Sequence, residues 1–195
     1  DAWLPLLIRD FCPRYRTRGR MYRPMMLVRT VEPIAGRPVV RMRLRPTRDF
    51  GAEAVCGGAG SHHIVFPVSG LDYRVTTDAS LSALADQCPV VVDQPLTFIL
   101  GPNQTIEETP SVLAHSLLLE TSNYWQDWVR TLAIPFDWQE EVIRAAITPM
   151  LCTFEVTGAV PAPRAATSPL AMLAVAPRAP AICALNSRNC RWTDS

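Results

Sequence analysis

Across residues 25–102 the chain alternates apolar and polar positions with a period of two, which predicts strands with one buried face. Leu27, Arg29 and Val31 interleave with Val28, Thr30 and Glu32. After a turn at Ala35-Gly36-Arg37-Pro38, Val40, Met42 and Leu44 alternate with Arg41, Arg43 and Arg45. The short Gly/Pro turn predicts a hairpin between these two stretches. Cys56-Gly57-Gly58-Ala59-Gly60 reads as a loop. His63-Ile64-Val65-Phe66 and Leu71-Asp72-Tyr73-Arg74-Val75-Thr76 read as a second pair around Ser69-Gly70, followed by strands at Val90-Val91-Val92 and Leu96-Thr97-Phe98-Ile99-Leu100. Turn signals recurring every ~8–12 residues predict an antiparallel sandwich and not a parallel sheet.

The period changes to that of a helix after Gly101-Pro102-Asn103. Thr109-Pro110 supplies a capping hydroxyl and a proline suited to the first helical position. Leu113, Leu117, Tyr124, Trp128 and Leu132 form one apolar stripe. Ala133-Ile134-Pro135 interrupts the pattern. Asp137, with Glu140 three residues on, then predicts a capped second helix whose buried face holds Trp138, Val142, Ala146 and Met150. Pro149 inside it lacks an amide donor, so a kink or early end is expected there. After Gly158 the texture changes, and from Val160 to Pro180 the chain is mostly Ala and Pro with neither period, which reads as linker or disorder.

Hydrophobic residues make up 48% of the 195 positions, enough to fill a sizeable core. The first residues lack a basic stretch ahead of an apolar one, so no signal peptide is read there. No run of roughly 18 uncharged apolar residues predicts a membrane span, and the expected location is the cytoplasm. Every basic residue is Arg, and the 12 that precede Asp49 face only Asp1, Asp10 and Glu32, leaving about +9 in the first quarter. The stripe of Arg41, Arg43 and Arg45 could serve as a nucleic-acid footprint. No aromatic residues interleave with it, so a solvated strand face is the expected reading and no nucleic-acid partner is called.

Cys12, Cys56, Cys88, Cys152, Cys183 and Cys190 form no Cys-x-x-Cys pair and have no His at ligand spacing, so they read as buried small hydrophobes or free thiols, with no structural metal. His62 and His63 are consecutive, and consecutive strand residues face opposite sides. A shared ion is not expected. His115 falls in the helix as a surface or packed residue. The acidic pairs Glu107-Glu108 and Glu140-Glu141 are placed at helix starts, where the helix dipole favours negative charge, and not in catalysis. Trp125, Trp128 and Trp138 have helical spacing that suits interdomain packing more than sugar stacking. No catalytic, cofactor-binding or metal-binding residue is assigned.

Three sets of segments carry a family resemblance. The first holds residues 10–14, 22–29 and 32–38; the second 60–64, 76–79 and 95–102. The third is the most specific: Tyr124-Trp125-Gln126-Asp127-Trp128, then Leu132-Ala133-Ile134-Pro135-Phe136-Asp137-Trp138-Gln139-Glu140, then 142–148 and Leu151-Cys152-Thr153-Phe154-Glu155. Together, over roughly residues 8–160, the chain resembles bacterial glycoside hydrolases of family 15, the glucoamylases and trehalases with an N-terminal trehalase-like β-sandwich ahead of an (α/α)6 catalytic barrel.

That resemblance implies a mainly β fold with C-terminal α: an incomplete sandwich over residues 1–104, a linker helix over 105–135, the first barrel helix over 136–158 and an aberrant or disordered Ala/Pro-rich tail over 159–195. It also implies that early sandwich strands are missing, and that the family's Arg-Asn-Trp-Asp-Tyr-Arg-Tyr-Cys-Trp-Leu-Arg-Asp sugar-binding motif and both catalytic glutamates fall outside this chain. Arg188-Asn189-Cys190 and Asp194-Ser195 echo the motif only faintly. A truncated, frameshifted or misassembled product accounts for these departures. An α-glucoside or trehalose is therefore the expected substrate of the intact enzyme only, and this chain is expected to be inactive. Self-association through open sheet edges is expected. The alternative is a stand-alone carbohydrate-binding or protein-interaction module.

Overall fold

The computed structural model describes residues 6–68 and 70–153. The tail over 159–195, with Cys183 and Cys190, lies outside the described residues, as do the chain start and Ser69. Twelve strands and three α-helices are described. The strands are β1 (Leu6–Phe11), β2 (Tyr15–Thr17), β3 (Arg20–Tyr22), β4 (Leu27–Pro33), β5 (Val39–Arg41), β6 (Thr47–Arg48), β7 (Glu53–Ala54), β8 (Gly58–Ala59), β9 (His63–Phe66), β10 (Tyr73–Thr77), β11 (Pro89–Val91) and β12 (Leu96–Pro102). The helices are α1 (Leu81–Ala85), α2 (Pro110–Arg130) and α3 (Gln139–Cys152), with a 3-10 turn at Asp49–Gly51. The protein is thus mainly antiparallel β, with one large sheet and a few helices.

The large sheet runs β1-β4-β12-β10-β9-β8, and every neighbouring pair in it is antiparallel. Three two-stranded ribbons accompany it: β11-β5, β2-β3 and β6-β7. The expected pairing of the second stretch with the one before it does not form. Val40 lies opposite Val90, so β5 joins β11, while β4 is taken on both sides by β1 and β12. The alternation itself is as read: Met42 and Leu44 turn inward, and Arg41, Arg43 and Arg45 are exposed. The Gly-rich loop also contributes a strand, because Gly58 and Ala59 pair with Val65 and Ile64. A Cβ at Gly57 would lie 2.5 Å from Ile64 Cγ2 and 2.6 Å from the Phe66 ring, so only glycine lets the backbone pass this close.

Contacts divide the chain within α2, with a first unit ending at Tyr124 and a second beginning at Trp125. In the first unit the sheet is buried on both faces. On one face, Phe11, Val28 and Ile99 pack under Ala114 and Leu117 of α2. On the other, Ile64, Phe66 and Val75 pack with Leu84 of α1, and Phe98 and Leu100 close over them. β12 alternates between the two clusters, as strand geometry requires. The segment after β1 is tied to α2: the Arg14 amide donates to Thr121 Oγ1 at 3.1 Å, and its guanidinium lies 5.3 Å from the Tyr124 ring centroid. β1 has β4 on one side and, among the described residues, no strand on the other.

In the second unit, Trp125 and Trp128 meet edge to face with centroids 5.5 Å apart. α3 half-buries Val142, Ile143, Ala146, Ile147 and Met150, and none of its residues is fully buried. Two expectations change here. The residue that caps α3 is Trp138 and not Asp137; it has left-handed backbone (φ 62), gives no side-chain cap and is 74% exposed, so it does not belong to the buried face. The helix also continues past Pro149 to Cys152.

Candidate functional site

β10 and β12 run side by side toward the connection into α2, and an open cavity of about 330 Å³ forms where they meet it. Its apolar wall comes from Met26, Ile99, Ile106 and Leu113, and its polar wall from Arg74, Thr76, Gln104, Thr105, Glu107 and Glu108. Gly101 sits tightly in this wall: a Cβ there would lie 3.3 Å from the Met25 carbonyl oxygen, so the 25–26 backbone would have to give by a few tenths of an ångström.

Arg74 organises the polar side. Thr76 stands opposite His63 in the β9–β10 register, which makes Arg74 the diagonal cross-strand neighbour of His63. Arg74 Nη2 lies 2.9 Å from His63 Nε2, while Nη1 donates to the Gln104 carbonyl at 2.8 Å and approaches Thr105 Oγ1 at 3.4 Å. Arg74 Nε is buried without a hydrogen-bond partner. The His63 ring sits over Gly60, where a Cβ would come within 2.4 Å of it. Burial, then the Arg74 charge, then His62 hold the His63 pKa below its ordinary value.

Chemically the cavity offers a guanidinium already engaged by the fold, a buried Thr76 and two carboxylates. Glu107 and Glu108 line it but precede Pro110, so they lie in the connection and not in the first turn of α2 as expected from sequence. Both are exposed and adjacent in the chain, an arrangement that does not set an acid opposite a base across a glycosidic bond. Among the described residues no tryptophan, tyrosine or phenylalanine lines the cavity to offer a sugar ring a stacking surface.

The other residues singled out from sequence do not converge on it. Glu140 and Glu141 occupy the first turn of α3, where the dipole argument put them. His62 and His115 are exposed. Cys12, Cys56, Cys88 and Cys152 are free and exposed, which removes the buried-hydrophobe alternative for these four. Partial burial and then Asp10 push the Cys12 thiol up from its ordinary pKa, so it is a poor thiolate. Among the described residues no group of three or more His, Cys, Asp or Glu side chains is placed to hold a metal ion, and no helix is long and apolar enough to cross a membrane.

A second polar cluster, unmarked by the sequence pattern, lies at the far end of the same strands. Thr77 Oγ1 donates to the Thr97 carbonyl at 2.6 Å and accepts from the Ala79 amide at 3.0 Å; Asp78 Oδ1 accepts from the Thr97 amide at 2.6 Å. These bonds fasten the turn into α1 and satisfy the buried Thr77 hydroxyl, with the exposed Asp78 closing the turn.

Fold and site together define a mainly antiparallel β protein with one large sheet, a few helices and a small open cavity whose described carboxylates, Glu107 and Glu108, are adjacent in the chain. Compared with family models, with curated proteins and with solved structures, the chain matches none.

Proposed function

We propose that this chain is the non-catalytic N-terminal region of a family 15-like glycoside hydrolase, whose intact form hydrolyses α-glucosidic bonds in a starch-type end or trehalose. The observation that carries this reading is the order of elements. An antiparallel sheet leads into α2, which ends on the Tyr124–Trp128 segment of the resemblance, and α3 follows immediately after 132–138. The boundaries of the resemblance fit this order, with sheet before residue 105, a linker helix after it and the first barrel helix beginning near 136. The incompletely covered apolar face of α3, beside Phe136 at 92% exposure, suits a helix built to pack within a larger helical domain. The outer edge of β1 is where further sandwich strands, or a second copy, would pair.

Purified chain is expected to release no glucose from maltose, maltodextrin or trehalose above a no-protein control, because the carboxylates that line its cavity among the described residues, Glu107 and Glu108, are chain neighbours and not an opposed pair. Measurable turnover would contradict the reading. The coding sequence adjoining this chain should supply the sugar-binding motif and two glutamates. The second reading, a stand-alone carbohydrate-binding module, is favoured only by the cavity, which is open but has no aromatic lining. Retardation on a starch-containing native gel, with no hydrolytic motif in the adjoining sequence, would select it instead.

A further inference from the structure

An arginine guanidinium carries donors only. The 2.9 Å contact between Arg74 Nη2 and His63 Nε2 therefore has one polarity: the arginine donates, and the histidine nitrogen accepts with its lone pair. His63 must then be neutral, with its proton on Nδ1. The same guanidinium holds the connection into α2 through Gln104 and Thr105, which are lining residues of the cavity. His63 is thus hydrogen-bonded directly to one residue of the cavity wall, Arg74, and through it to the 104–105 segment.

We propose that His63 is a proton-operated latch on this wall: neutral, it fixes Arg74 against the 104–105 segment, and protonated, it loosens that segment. Protonation removes the acceptor for Nη2 and sets imidazolium against guanidinium at contact distance, a like-charge pair that disfavours the contact. The charged surroundings do not offset this. β10 contributes Arg74 and the turn ahead of β9 brings His62 beside the ring, while β8 contributes no titratable side chain. The nearest acids in the connection, Glu107 and Glu108, line the cavity with Arg74. His63 is half-buried and so within reach of solvent protons.

The direction of the effect follows from linkage. The folded pKa lies below the ordinary histidine value, so over that interval the unfolded chain binds the proton more readily than the folded one. The latch and its share of stability are complete at neutral pH and are lost as pH falls below about 6.5, the ordinary histidine value, toward the lower folded one. The latch operates whether or not the sheet belongs to a hydrolase.

The experiment is a nuclear magnetic resonance pH titration of the whole chain. It follows the imidazole carbon-bound protons of His62, His63 and His115 together with the amides of residues 104–106. The expected result is that His63 titrates below the ordinary value, the 104–106 amide shifts move along the same curve, and their hydrogen exchange, corrected for intrinsic pH dependence, quickens several-fold on the acid side. In His63→Gln, which keeps a neutral acceptor but cannot titrate, that acid-side change should vanish. Amides that stay still through the His63 titration in the wild-type chain would overturn the latch, as would an identical acid response in His63→Gln. The wild-type titration decides the question even if the variant does not fold.

Discussion

At the scale of single residues, the fold depends on a few polar atoms that the hydrophobic pattern does not mark. Thr77 is 1% exposed, and its hydroxyl serves both Thr97 and Ala79. Replacing it with valine keeps the shape and leaves two buried backbone groups without partners. Thr77→Val is therefore expected to lower unfolding free energy by about 2 kcal/mol, on the scale of one to two unmet buried groups. Urea denaturation would show this as a lower midpoint at unchanged slope. The surface arginines are different. Arg29 donates through Nε and Nη2 to both Asp10 oxygens at 2.6 and 2.7 Å, Arg9 pairs with Glu32, and Arg48 pairs with Glu53. Pairs this exposed are worth about 0–1 kcal/mol each. These three of the twelve arginines that precede Asp49 are thus paired, but Asp10 and Glu32 already enter the +9 of the first quarter, so of these partners only Glu53 lowers it further.

At the scale of elements, alternation located the strands well, because a strand buried on one side writes its period directly into the sequence. Val40, Met42 and Leu44 face inward as their spacing required, and α2 begins at Pro110 as its sequence required. Pairing was legible only in part: the stretches on either side of Ser69-Gly70 pair as β9 and β10, as read, whereas the hairpin of β4 with β5 does not form. Whether β5 joins β4 or β11 depends on contacts some fifty residues apart along the chain, to which the local turn is blind. The β2–β3 hairpin was hidden by its arginines; its signal was Arg18-Gly19, both at positive φ (49° and 75°), a two-residue turn of the kind hairpins favour. α1 spans only five residues, too short for a period, though the cap from Ser80 to the Ala83 amide was available to be read. The Arg74 and His63 pair could not be found from sequence, since only register makes those two residues diagonal neighbours. In α3, Pro149 removes the amide that would bond four residues back. Pro149→Ala is expected to stabilise this helix by about 1–3 kcal/mol, somewhat below the full interior cost because the helix ends three residues later. Its far-ultraviolet helical signal should rise, and no gain would show that the last turn is already frayed.

At the scale of the whole molecule, the first unit has its apolar interior in two places, one on each side of the large sheet. Ile99 belongs to the side under α2, while Phe98 and Leu100 close the side under α1. Such a strand has no neutral register, since a slip by one residue would exchange the two sets of side chains. This matters for how the unit comes apart. If β12 is withdrawn, both interiors lose a wall in the same event, so neither can melt while the other stands. Native-state hydrogen exchange at Val28 and Ile64, one residue from each interior, should therefore report the same opening free energy and the same response to denaturant. A keel shared by two holds leaves the vessel no way to flood one of them alone.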